Sequence, residues 1–193
     1  MPKISSLTPP EQALLAQFLN HVAEYDQGFL PDDAYSAIHR LVPWPATEVC
    51  VANKRGELLL QYREFTEWPG EFGKIKSWYI PGGYMLPGLT LAQQCYEHLK
   101  KDGFLSEVRF INTAGVIKWE PGEHPFAVPV SIACVCQMAS DTIPQVRPGM
   151  EDKFKFVSHA VGSDVPHHTE LQQLFFKWRD EHPQYFEFDL VLE

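Results

Sequence analysis

The chain has 193 residues, 45% of them hydrophobic, and carries a formal net charge of -9. That length suggests one globular domain with a small N-terminal addition, and the apolar fraction excludes wholesale disorder. The acidic balance argues against a nucleic-acid backbone as the main partner, because phosphodiester binding needs clustered Lys and Arg, but leaves room for a small anionic ligand on a local basic patch.

No apolar run approaches the ~20 residues of a membrane span. The start, MPKISSLTPPEQ, lacks the apolar core of a signal peptide. Cys50, Cys95, Cys134 and Cys136 have no zinc-ligand spacing, so they read as reduced, buried thiols of a cytoplasmic protein. On a strand, Cys134 and Cys136 would share a face.

In chain order, Thr8-Pro9-Pro10-Glu11 opens a helix, with Thr8 as cap and Glu11 closing a capping box. Leu14, Leu15, Phe18, Leu19 and Val22 follow at helical spacing. A second short helix is expected from Pro31, and Pro43 and Pro45 break it. Residues 1–45 thus read as a helical extension packed on the main domain, and 46–193 as that domain. TEVCVAN and ELLLQYR flank Lys54-Arg55-Gly56 as a hairpin. A Gly- and Pro-rich loop and a short strand at Trp78–Ile80 lead to Gly82-Gly83, whose plain reading is a tight turn. A helix is predicted from about Thr90 to Asp102, ended by Gly103. EVRFINTAGVIKWE, FAVPVSIACVCQM and DKFKFVSHA read as strands. HHTELQQLFFKWRDEH reads as an amphipathic helix burying Leu171, Leu174, Phe175 and Trp178, and YFEFDLVLE as a last edge strand. Strands with one helix in the middle and one near the end suggest an α/β sandwich around a mixed sheet.

The stretch KSWYIPGGYMLPGLTLAQQCYEHLKKDGF orders strand, glycine pair, loop and helix in a way that suits a backbone holding a diphosphate. Trp78-Tyr79-Ile80-Pro81-Gly82-Gly83 and the helix behind it resemble the Nudix superfamily, whose box binds a divalent cation and a diphosphate. EDKFKFVSHA resembles that superfamily's late strand. The resemblance covers roughly Thr47 to Arg179, and implies an α/β/α sandwich around a mixed β-sheet. The box itself is degenerate. With Gly83 placed first, Leu89 stands where the first glutamate belongs. Glu97 takes the arginine position, His98 that of the next glutamate, Lys101 that of a metal-binding glutamate, and Asp102 that of the last. A register shifted by one is the alternative. Leu91, Cys95 and Leu99 favour the first, since they then form one apolar stripe.

The pattern is most similar to the GDP-mannose mannosyl hydrolases. By that resemblance, the Gly83 carbonyl and Asp102 would hold Mg2+ or Mn2+, and Arg63 would neutralise a leaving diphosphate. A catalytic histidine is expected in the neighbourhood of His124. Tyr84 and Glu97 stand where that branch has arginines. A homodimer is also implied.

The residues leave alternatives open. His98 and Asp102, four apart, can chelate a soft ion; a Glu97–Lys101 ion pair on a solvated helix is the plain reading. Arg63, Lys74 and Lys76 can form a cationic rim, or be ordinary strand-end charges, and Lys101 can replace a metal charge in binding phosphate. Trp68, Phe72, Trp78 and Tyr84 can stack on a base or sugar, with Trp78 read as core. His124 is the first candidate for general base, and Glu123 can orient it or supply a metal oxygen. His167 and His168 read as helix caps. Two functions follow as expectations. One is a divergent hydrolase of a nucleoside diphosphate linked to a sugar or similar group. The other is a binding module for a nucleotide or nucleotide-sugar with catalysis lost, favoured by Leu89 and Lys101. A structural or dimerisation protein rests on the helical extension alone.

Overall fold

The computed structural model describes residues 8–24, 44–66, 73–120, 129–138 and 144–186. Helix α1 spans Pro9–Glu24, and both the Thr8 N–H and its hydroxyl donate to Glu11 Oε2 at 2.7 Å; the first is the carboxylate half of a capping box. Leu14 and Leu15 are exposed on it, so neither is packed away as expected. The second predicted helix and the last edge strand lie outside the described residues.

The main body is a seven-stranded mixed sheet. Its strands are β1 Pro45–Ala52, β2 Leu58–Glu64, β3 Lys76–Tyr79, β4 Gly82–Tyr84, β5 Val108–Lys118, β6 Val130–Met138 and β7 Phe154–Val157. The path runs β3-β2-β1-β6-β5, with β4 on β1 and β7 on β2. β1 and β6 pair in parallel along their length, and the other pairings are antiparallel. Helix α2 spans Leu91–Lys101 and α3 spans Pro166–Glu181.

Alternation along β1 explains the layers, because successive side chains face opposite ways. Cys50 and Ala52 join Leu171, Phe175 and Trp178 of α3 in one apolar cluster. Val49 and Val51 join Cys95 and Leu99 of α2 in another. The sheet is therefore covered on both faces, as a sandwich needs. Burying a side chain such as Leu171 or Phe175 contributes roughly 1.5–3 kcal/mol. All four cysteines are free and buried, with Cys134 and Cys136 together on the α2 side.

Two local devices fix α2. Thr90 and Gln93 form a reciprocal capping box at its start, and Gly103, at φ +88°, closes its end where a side chain would be strained. The predicted apolar stripe is real: Cys95 and Leu99 are buried, with Leu91 packed against their cluster.

The decisive topological feature is a split edge. β1 meets β2 only near the turn, through Ala52 and Leu58. Its other end pairs with β4, through Ala46–Tyr84, Thr47–Gly83 and Glu48–Gly82. β3 and β4 are one chain segment broken at Ile80-Pro81, where the Val49 N–H donates to the Pro81 carbonyl at 2.7 Å. The chain thus leaves β2 and joins β1, and the sheet opens between them.

Candidate ligand-binding and active site

The opening holds a cavity of about 230 Å3, lined among others by Glu48, Arg63, Tyr79, Gly82, Gly83 and His168. A second, more open groove of about 420 Å3 adjoins it, with Asp102, Arg147 and Lys153 in its lining. Arg63, Tyr79 and Lys101 belong to both and form the ridge between them.

The glycine pair does not make the tight turn of the plain reading. Gly82 and Gly83 are strand residues without positive φ. They are required by close approach. A Cβ on Gly82 would collide with the Glu48 carboxylate and the Thr47 carbonyl oxygen. One on Gly83 would come within 2.9 Å of His98 Cε1. The loop beyond is pinned by Gln94 of α2, whose side-chain amide accepts from the Leu86 N–H and donates to the Leu86 carbonyl.

Glu48 was not singled out from the sequence, yet it is the most perturbed carboxyl of the cavity. It is 5% exposed. Burial pushes its pKa up to about 8, against a hydrogen bond from Ser131 that lowers it and the nearby Asp102 that raises it further. The Ser131 hydroxyl donates to Glu48 Oε1 at 3.1 Å and accepts from Trp119 Nε1–H at 2.9 Å. His167 Nε2 lies 3.0 Å from the same oxygen, and its ring stacks on Trp119 at 3.9 Å. Because the one Ser131 proton goes to Glu48, Nε2 of His167 carries a proton. His167 and His168 are therefore core and cavity residues, and no side-chain cap forms at the start of α3.

Asp102 sits at the end of α2. Its carboxyl is raised to about 6 by burial, held down from a higher value by Arg63, Lys101 and the Tyr79 hydroxyl. That hydroxyl lies 2.8 Å from Gln61 Oε1 and 3.5 Å from Asp102 Oδ2, and Gln61 Nε2 donates to the Asp102 carbonyl at 3.1 Å. The Arg63 guanidinium lies over the Phe65 and Tyr79 rings, at 5.2 and 5.9 Å from their centroids.

The remaining expectations separate. Tyr84 lines the cavity and packs edge-on against Trp44. Lys76 pairs with Glu64 at 3.0 Å on the exposed sheet surface and lines neither concavity. Trp78 packs against Tyr62, beneath the Lys155 ammonium. No Glu97–Lys101 ion pair forms among the described residues. Trp68, Phe72, Glu123 and His124 lie outside the described residues.

Of the donors expected for Mg2+ or Mn2+, Glu123 lies outside the described residues, and within them His98 and Asp102 join no metal-binding cluster. Among the described residues, no three His, Cys, Asp or Glu side chains converge to hold a metal. His98 is buried under Gly83, and burial lowers it to about 4, with Lys101 adding to the effect. Asp102 is already flanked by two cations. As described, His98 and Asp102 do not fit a resident divalent ion.

A two-face sandwich whose split edge opens into a cavity defines the class of the molecule: an α/β fold with a recess at a break in its sheet. No protein-family profile matches the chain, and no curated protein does. Solved structures do match. A UDP-X diphosphatase shares 13% identity over 89% of this chain and 79% of its own, at a TM-score of 0.53. A C. elegans Ap4A hydrolase shares 13% over 72% and 98%, at 0.51. A mutT/nudix family protein from Listeria innocua shares 16% over 75% and 98%, at 0.51. The fold is the Nudix fold, as the Trp78–Gly83 stretch and its helix implied.

Proposed function

We propose that this chain binds a nucleoside diphosphate linked to a sugar or similar group and hydrolyses it. The observation that carries the reading is the ridge of Arg63 and Lys101 between two concavities, with Asp102 beside it. Two fixed cations at the boundary suit a bridging diphosphate, and each offsets charge that develops on a leaving phosphate. Asp102, near pH 6, is ionised at neutrality and close enough to that range to accept a proton from water. The water oxygen adds to carbon or phosphorus, its proton passes to Asp102, and the broken C–O or P–O bond releases the diphosphate or phosphate oxygen against Arg63 and Lys101. The activities for which the UDP-X diphosphatase and the Ap4A hydrolase are named lend this substrate class support.

A second reading has one observation in its favour. Lys101 occupies the position of a metal-binding acid, so a cation of the chain itself stands where a bound ion would neutralise phosphate. A module that binds the same ligands without turnover follows from that. Incubation with a nucleotide-sugar panel, with and without Mg2+ or Mn2+, separates the two. We expect release of sugar or phosphate, and a loss of about a hundredfold or more in Asp102→Asn. Ligands that raise the melting temperature with no turnover in any arm leave only the binding module.

A further inference from the structure

The inner cavity is small for a whole nucleotide derivative. Pockets for drug-sized ligands run about 300–1,000 Å3, and this one holds about 230 Å3. It therefore seats one part of a ligand, and its chemistry indicates which part.

His168 is 6% exposed and lines the cavity. Its Nδ1 accepts a hydrogen bond from the Ile80 N–H at 3.4 Å. An imidazole nitrogen that accepts carries no proton, so Nε2 of the neutral ring must be N–H. The ring is held edge-on by Tyr79 at 5.5 Å and by Trp119 at 6.1 Å. It stays neutral in ordinary buffers, because burial, with His167 and Arg63 adding to it, lowers its pKa to about 3. Glu48 supplies the second group. Its Oε1 is taken by the Ser131 hydroxyl, which leaves the acid proton on Oε2, the oxygen against Gly82. Apart from Arg63 and Lys101 on the ridge shared with the groove, the acid and the imidazole lining this cavity are thus both uncharged donors, set with the Phe65 and Trp119 rings. Away from those two cations, the Glu48 and His168 side disfavours a dianion, which would have to be desolvated there, and suits an uncharged ring that offers carbonyl or hydroxyl acceptors.

We propose that the cavity beneath Gly82 and Gly83 seats the uncharged ring of the ligand, with His168 Nε2–H as the donor that selects it, while the diphosphate lies outside over Arg63 and Lys101. This rests on the diphosphate-ligand reading above and reverses the expectation that the glycine pair itself cups the diphosphate.

The test is calorimetric titration of the full chain with inorganic pyrophosphate, and separately with uridine, cytidine, adenosine and guanosine. At least one nucleoside and pyrophosphate should bind the wild-type protein together, each with its affinity unchanged by the other. His168→Leu should weaken the best nucleoside about tenfold, the scale of one lost hydrogen bond to a buried donor, and leave pyrophosphate unchanged. His168→Gln, which restores a neutral donor, should recover part of the loss. The competition experiment needs no variant, so a poorly folded His168→Leu does not block the test. Mutual exclusion of nucleoside and pyrophosphate overturns the proposal. So does an equal loss of both probes in a folded His168→Leu, or nucleoside binding indifferent to that change. Pyrophosphate binding with no nucleoside bound overturns it while the diphosphate reading stands. Binding of neither probe removes both.

Discussion

The inner cavity and the outer groove share a wall, yet they treat their carboxyl groups differently. Burial raises both Glu48 and Asp102, one to about 8 and the other to about 6. Asp102 has Arg63 and Lys101 beside it, whereas Glu48 has only a hydroxyl to favour its charge, and Asp102 opposes it. Desolvation is common to the two; fixed cations are what differ. A protein can thus set one acid neutral and a neighbouring one ionised at the same pH by where it leaves its arginine and lysine.

The comparison breaks most severely at Gly82. A methyl group there meets the Thr47 backbone oxygen and the Glu48 carboxylate. Gly82→Ala should cost about 1–3 kcal/mol of stability, measured by denaturant unfolding, and abolish nucleoside binding while pyrophosphate still binds. Arg63→Ala blurs the boundary from the other side. It removes a cation that holds Asp102 down, so the acid limb of the pH–rate profile should move to higher pH, and pyrophosphate should bind about tenfold more weakly. An unmoved acid limb would detach Asp102 from the proton transfer.

Glu48→Gln sharpens the contrast through stability. The unfolded chain releases this proton near the ordinary 4.5, while the folded chain keeps it until about 8. Folding therefore binds the proton more tightly, and stability falls as pH rises through that window, by up to about 1.4 kcal/mol per pH unit from this group. Gln removes the slope. The variant should gain on the wild type from pH 5 to pH 8, read from denaturant midpoints, and a gap that narrows instead would contradict the assignment. Asp102 adds a slope of the same sign, from its ordinary 3.8 up to about 6. The smallest effect belongs to Lys76→Ala, which disrupts an exposed pair with Glu64 and should leave both melting temperature and ligand affinity unchanged.

Much of this architecture is legible in the sequence because it follows periodicities. The apolar stripe of α2, the hairpin at Lys54–Gly56 and the strands on either side of the middle helix are all where alternation and caps put them. The site is legible only in part. On sequence, Gly82 and Gly83 suit a diphosphate cradle or a plain turn, because glycine advertises backbone freedom, while here glycine answers crowding from Glu48 and His98. Glu48 left a trace that could have been followed: an acid inside the otherwise apolar strand PATEVCVA is expensive to bury without a purpose. His168 left none. A histidine in the first turn of a helix reads as a cap, and only the packing of α3 against the broken segment after β3 reveals what its ring faces. Lys76 shows the reverse failure, a charge near the motif that the pleat turns outward.

The split edge of β1 has an evolutionary consequence. The recess arises from which strands the main chain joins, so it does not depend on any one side chain lining it. Lining residues can then be exchanged, acids for bases or polar for apolar, while the hollow persists. That offers a physical route by which a fold could shed most of an acidic motif and still retain a place for a small molecule to settle.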